Sequence, residues 1–343
     1  MTQLPVADLS VALYRPAAFN QGGTGVYTRR LIEGFREAGI SSVTPVGGSP
    51  GGIFSKFYME HFSIPERIRN GGYDLLHLPA FGGRSPGGVP YAVTVHDMAF
   101  MANPGWFPFL RSIYYRLHFP RTAKRAALVM ADSDFTSMEI RKYLGIDSVR
   151  IYLGAPINHK DPGLFRTRHG ITGEYAIYTG TVEPRKNLSR LLRSWRAVRG
   201  VHPGLDLIIA GRWGWGSPGT KSLLTETPGV KWLGPLPTEE LQSAVSGARL
   251  MVYPSVYEGF GLPPLEAAAA GVPFVAGPAS ALREIYGEIA AGFCGKSTES
   301  ISQAVLNALD TEIRPDVLRD FARGFSVRSM AENTWASYEG LFR

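Results

Sequence analysis

The stretch VYPSVYEGFGLPPLEAAAAGVP, Val252–Pro273, decides how this chain is read. An apolar run stops at Pro254. A loop with Glu258, Gly259 and Gly261 follows, and Pro263 and Pro264 then lead into an alanine-rich segment with one acid, Glu266. Proline is tolerated in the first turn of a helix, where the missing N–H would have no partner anyway, so a helix is predicted to begin near Leu262. A buried strand, a glycine turn and a helix start, in that order, form the repeating unit of a parallel α/β sheet.

Outward from this stretch the same alternation recurs. Strand-like runs are LSVALY (9–14), YDLLHLP (73–79), YAVTVHD (91–97), ALVMADS (127–133) and VRIYL (149–153). A second series follows: EYAIYTG (174–180), LDLIIAG (205–211), VKWLG (230–234), RLMVYPS (249–255) and VPFVAG (272–277). Between the series lies the polar, Gly- and Pro-containing linker 154–173. The expectation is two Rossmann-like, doubly wound parallel-sheet domains, over 1–160 and 161–325, facing a cleft. A last helix, 326–343, is expected to return to the first domain.

The composition agrees with a globular protein: 343 residues, 44% hydrophobic and 19% charged. No run approaches the length of a membrane span, and the N-terminus MTQLPVADLSVALY lacks the order of a signal peptide. The single cysteine, Cys294, excludes an internal disulfide framework and is expected to be a buried thiol. A cytoplasmic protein is expected. The net charge is +7 and uneven. Residues 1–165 carry 17 Lys and Arg against 12 Asp and Glu, and residues 166–343 carry 19 against 17.

Several unusual residues fall at the carboxyl ends of predicted strands, where ligands bind in such sheets: Gly22 and Gly23, His96, Arg185 and Lys186, and Gly211 and Arg212. In the opening stretch the amides of Phe260, Gly261 and Leu262 are expected to face a ligand at the positive end of the helix dipole. Glu258 and Glu266 only accept hydrogen bonds, which suits vicinal hydroxyl pairs. A nucleotide sugar presents two such pairs. Arg185 and Lys186 stand where a helix is expected to start, against the dipole, so an anion is expected beside them. A diphosphate leaving group would use them, since fixed donors stabilise charge that develops as a bond breaks.

GTVEPRKN (180–187) and EGFGLPPLE (258–266) together resemble the retaining, GT-B-fold glycosyltransferases of family 4, in particular their mannosyltransferase-like branch. GGTGVYTRRL, TVHD, ADSDFT, IYLGAP and LGPLPTEEL extend the resemblance over most of the chain. It implies hexose transfer from a nucleotide diphosphate sugar, GDP-mannose first, to a hydroxyl of a glycan or lipid-linked acceptor. It implies that Glu266 holds the ribose and Glu258 the hexose hydroxyls. Arg185 and Lys186 would bind the diphosphate, Gly22 and Gly23 would border it, and His96 would reach the transferred sugar or the acceptor. A phosphate oxygen of the leaving group would take the acceptor proton; a two-step route through a protein nucleophile stays open. Many relatives carry arginine after the strand-ending glycine, where this chain has Thr181, so Arg185 is expected to supply that charge. Rival readings are a GT-B-fold epimerase or phosphorylase and a non-catalytic nucleotide-sugar binder.

Three further features are weighed. GGTG (22–25) begins too far after its strand to be a dinucleotide fingerprint. The triplet Asp132–Ser133–Asp134 is read as helix capping, and neither a metal nor another cofactor is expected. The acid-free segment 106–130 mixes Arg111, Arg116, Arg121, Lys124 and Arg125 with aromatics. It reads equally as a solvated helix or as a contact for an anionic membrane; no nucleic-acid module accompanies it.

Overall fold

The computed structural model describes residues 9–20, 22–49, 58, 62–80, 88–156, 159–215 and 218–343. Residues 1–8 of the N-terminal stretch and residues 157–158 of the linker lie outside the described residues.

The described residues form two six-stranded parallel sheets, each in its own compact unit. The first sheet comprises β1 (Val11–Tyr14), β2 (Val43–Val46), β3 (Leu75–Leu78), β4 (Tyr91–Val95), β5 (Leu128–Ala131) and β6 (Val149–Arg150). Their order is β2-β1-β3-β4-β5-β6. The central strands are buried along their whole length, because helices cover both faces of such a sheet. Pro45 is admitted in β2 because that strand is an edge.

The second sheet comprises β7 (Tyr175–Thr179), β8 (Asp206–Ala210), β9 (Val230–Gly234), β10 (Leu250–Tyr253), β11 (Phe274–Ala276) and β12 (Gly292–Phe293), ordered β12-β11-β10-β7-β8-β9. The order reverses between β7 and β10, and the loops leaving these two adjacent strands are where such a fold collects ligand-binding groups. The short β12 was not legible as a strand. Cys294, just after it, is buried, and burial pushes its thiol up to about 12, which makes it an inert core group.

The last helix, Val327–Phe342, belongs with the first unit. It packs on the helix Gly23–Glu37, where Gly34 is required: a Cβ there would lie 2.1 Å from the carbonyl oxygen of Val327. Tyr338 of the last helix hydrogen-bonds Nδ1 of His77 at 2.7 Å, and Nε2 of His77 meets Thr94 Oγ1 at 2.8 Å. Burial holds His77 down at about 3, so it is a neutral core residue.

Candidate functional site

In the second unit, the chain leaves β7 through Gly180 and Thr181 and forms a 3₁₀ turn at Pro184–Lys186. The helix expected to start near Lys186 or Asn187 begins at Leu188, capped by Asn187 in a left-handed conformation, φ 57°. This extra turn carries Arg185 and Lys186 toward β10. Glu258, in the loop after β10, is buried among them. Lys186 Nζ donates to Glu258 Oε1 at 2.6 Å and to the Tyr253 hydroxyl at 2.7 Å. Tyr253 in turn donates to Glu258 Oε1 at 2.9 Å, and Ser255 donates to the same oxygen. Arg185 reaches Glu258 Oε2 at 2.9 Å and, through Nε, Glu183 Oε1 at 2.7 Å.

Two cations and two carboxylates thus share one buried cluster. Burial alone would raise the Glu258 carboxyl. Lys186, Arg185 and the hydrogen bonds from Lys186 and Ser255 outweigh it and hold Glu258 at about 2. Burial, then Arg185, lowers Lys186, while Glu258 and Glu183 support its charge. An ammonium has three N–H donors, and two of those on Lys186 are engaged by Tyr253 and Glu258. The third, on a cation that burial disfavours, suits an anionic oxygen.

The helix after Glu258 runs Leu262–Ala270, with both prolines in its first turn. Gly261 sits at φ 92°, and a Cβ on it would meet Leu282 at 2.4 Å, so glycine is needed there twice over. The amides of Gly261 and Leu262 open the helix, where backbone N–H groups lack partners within it. Phe260 contributes only backbone to this region, since its ring is buried against Tyr286. Glu266 lies half-buried on the helix. Gly211 has a structural reason of its own: a Cβ would lie 1.9 Å from the Gly180 carbonyl oxygen. Arg212 beside it is exposed and donates to Thr181 Oγ1 at 3.5 Å. Arg185 is committed to two carboxylates, so Arg212 is the guanidinium that stands over Thr181.

In the first unit, His96 follows β4 and donates its Nδ1–H to Asp132 Oδ2 at 2.8 Å. Burial pushes the imidazole down, but the charge of Asp132 and its hydrogen bond raise His96 overall. The Tyr27 ring meets it edge-on, with centroids 4.8 Å apart. Tyr27 lies one turn into the helix that Gly22 caps and Gly23 begins, which brings these glycines to the same end of the sheet. A Cβ on Gly23 would meet nothing within 4 Å, whereas on Gly25 it would overlap the Asn20 carbonyl at 1.6 Å. Gly25 is the glycine that the fold requires.

The capping of Asp132–Ser133–Asp134 needs correction. Ser133 is the cap, accepting from the Thr136 amide at 3.0 Å, and Asp134 pairs with Arg150 at 3.0 Å on the surface. Asp132 does not cap; it is the buried partner of His96. The two carboxylates serve different partners and do not form a pair. Among the described residues no group of three or more His, Cys, Asp or Glu is placed to hold a metal ion. Glu183, Tyr253 and Ser255 were also missed. Only an acid beside the Pro-Arg-Lys turn could have hinted at Glu183.

The family model described as Glycosyltransferase Family 4 matches residues 21–158, and that described as Glycosyl transferases group 1 matches residues 165–325. O-antigen chain mannosyltransferase B of Escherichia coli is 30% identical over 256 residues, 71% of this chain and 66% of that protein. The MMP alpha-(1->4)-mannosyltransferase of Mycolicibacterium hassiacum is 27% identical over 273 residues, 74% of this chain and 66% of that protein. The matched stretch therefore covers 66% of either relative's length. Among solved structures, Anabaena HepE in complex with UDP and glucose superposes with a TM-score of 0.72 at 16% identity, over 97% of this chain and 100% of that one. At that identity the likeness speaks for the fold.

Proposed function

The chain belongs to the family 4 type of GT-B-fold glycosyltransferases, and on that premise we propose that it transfers a hexose from a nucleoside diphosphate sugar to a hydroxyl acceptor. The observation that carries this reading is the Lys186–Glu258–Arg185 cluster at the ends of β7 and β10, beside the helix start at Gly261. As the glycosidic bond breaks, negative charge grows on the departing phosphate. The third N–H of Lys186 and the amides of Gly261 and Leu262 are fixed donors for it, and fixed donors need no reorganisation when charge develops. Glu258 keeps Lys186 charged and in place. Arg212 is the exposed cation for the outer phosphate oxygens, and Glu266 takes the ribose hydroxyls.

The sugar is mannose, a reading supported by the names of the two enzyme relatives, and GDP is proposed as its carrier. The reaction retains configuration, the leaving phosphate takes the acceptor proton, and no metal takes part. The acceptor is a growing glycan, free or lipid-linked, in keeping with the O-antigen relative.

The test is release of nucleoside diphosphate from GDP-mannose and from UDP-glucose, with and without a mannoside acceptor, before and after EDTA. Acceptor-dependent release from GDP-mannose that survives EDTA supports the whole reading. Faster release from UDP-glucose would move the donor. Product formed without acceptor would favour an epimerase, and a raised Tm with no turnover would leave only a binder.

A further inference from the structure

Tyr253, the last residue of β10, does more in the Glu258 cluster than fill space. Its ring is buried and stacks on the buried ring of Tyr178, with centroids 6.2 Å apart and planes 21° from parallel. Its carbonyl oxygen accepts from the Gly277 amide at 2.8 Å, which ties the backbone to the next strand. The hydroxyl therefore stands at a fixed point. Lys186 reaches that point from a turn 67 residues earlier, on a flexible four-carbon stem.

Three polar atoms close a ring there. Lys186 Nζ lies 2.6 Å from Glu258 Oε1 and 2.7 Å from the Tyr253 hydroxyl, and that hydroxyl lies 2.9 Å from the same Oε1. Glu258 has no need of the tyrosine, since Lys186 and Ser255 already donate to Oε1 and Arg185 to Oε2. The ammonium does need it. Among the described residues, Tyr253 and Glu258 are the two acceptors that Lys186 Nζ has. With Glu258 alone, the ammonium could turn about the Nζ···Oε1 axis, and its remaining N–H would sweep a cone. A second fixed acceptor removes that rotation.

We propose that Tyr253 is the positioning residue of Lys186: its hydroxyl accepts one ammonium N–H, so that the third points at the departing phosphate. This rests on the reading of Lys186 as the donor that stabilises the leaving group, and it adds the residue that aims that donor. A neutral acceptor is the fitting one. A second carboxylate in its place would anchor the ammonium equally well but cancel more of its charge where the phosphate needs it. Burial, and then the charge of Glu258, push the Tyr253 hydroxyl well above its ordinary value, so it stays neutral with its O–H directed at Glu258.

The experiment is a double-mutant cycle of Tyr253→Phe and Lys186→Ala. It is read as nucleoside diphosphate release, with a mannoside acceptor, from whichever of GDP-mannose and UDP-glucose the wild type turns over faster. Phenylalanine keeps the ring and its stack on Tyr178, and Tm and the circular dichroism spectrum check that each variant folds. Tyr253→Phe is expected to lower kcat by about 10–100-fold, with KM and the calorimetric affinity for free nucleoside diphosphate within about twofold of wild type. In the Lys186→Ala background the same substitution is expected to change kcat by less than about twofold, because no ammonium is left to aim. A tyrosine that merely supports the fold would cost the same in both backgrounds, and that result overturns the proposal. Wild-type kcat in Tyr253→Phe, or a loss confined to KM, overturns it as well. Those outcomes leave the catalytic reading standing wherever Lys186→Ala still loses turnover. A Lys186→Ala variant with wild-type kcat, or a wild type that releases nothing from either donor, removes that reading and the proposal together.

Discussion

The two strand-end clusters handle buried charge in opposite ways. After β7 and β10, each carboxylate oxygen of Glu258 has a protein donor, and Oε1 has three. After β4 and β5, His96 and Asp132 share one hydrogen bond, while Asp132 Oδ1 is buried without a hydrogen-bond partner among the described residues. A fully satisfied network is rigid, and removing one member strands the others. A half-satisfied pair has less to lose in stability and more freedom to change its protonation. The first cluster is therefore a pre-set electrostatic device, and the second is the pair able to respond to pH.

The largest expected effect tests the first half of that contrast. Glu258→Gln leaves Arg185 and Lys186 buried with half their counter-charge, and removing one partner of a buried pair costs about 3–5 kcal/mol. The pH dependence has a definite sign. The folded-state pKa of Glu258 is depressed to about 2, so its contribution is complete above the ordinary carboxylate value of 4.5 and is lost as pH falls toward 2. The Tm deficit of the variant should be constant at neutral pH and shrink across that acidic window. A variant as stable as the wild type at pH 7 would refute the view of Glu258 as a counter-ion.

Lys186→Ala should next lower kcat by about 10²–10³, by analogy with deleting one oxyanion donor. A change confined to KM would mean that Lys186 binds the donor without stabilising its departure.

Glu266→Ala sharpens the boundary of the site. Its loss should weaken free nucleoside diphosphate by about tenfold or more, the worth of a charged hydrogen bond to a ribose hydroxyl. Calorimetry showing unchanged affinity would take Glu266 out of the nucleotide site.

The smallest stability effect belongs to Asp132→Asn, at about 1 kcal/mol. Asp132 raises His96, so the pair's contribution is lost as pH rises through the folded histidine value; burial raises the Asp132 carboxyl, so the contribution also falls away toward acid as that carboxylate protonates. The variant should thus be less stable at mildly acidic pH and approach the wild type at alkaline pH. Proton NMR of the His96 ring should show its titration moved to lower pH. An unmoved titration would separate Asp132 from the control of His96.

How much of this was legible depends on how far apart the partners are. The helix start at Leu262 was readable because Gly261, Pro263 and Pro264 are neighbours and act through local backbone geometry. Ser133 was readable as a cap for the same reason. Asp132 was misread because its partner is 36 residues away, and capping is the only role that local sequence offers an aspartate before a helix. That Glu258 also pairs with Lys186 and Arg185 was not legible, because those two residues stand on a turn more than 70 positions earlier.

The helix Phe109–Arg125 shows the division most clearly. Its mixture of cations and aromatics left two readings open, since a helical pattern with apolar residues on both sides does not reveal which side the core takes. Packing of Phe119 and Tyr115 on Phe100 decided it and left Leu110, Tyr114 and Leu117 outside. The sequence by itself determined what short-range physics controls: strands too apolar to be exposed, glycines and prolines that set turns, and two βα series separated by a polar linker. Only the tertiary structure decided which charge neutralises which and which face of a helix is left over, because those outcomes depend on long-range contacts that local propensity does not encode.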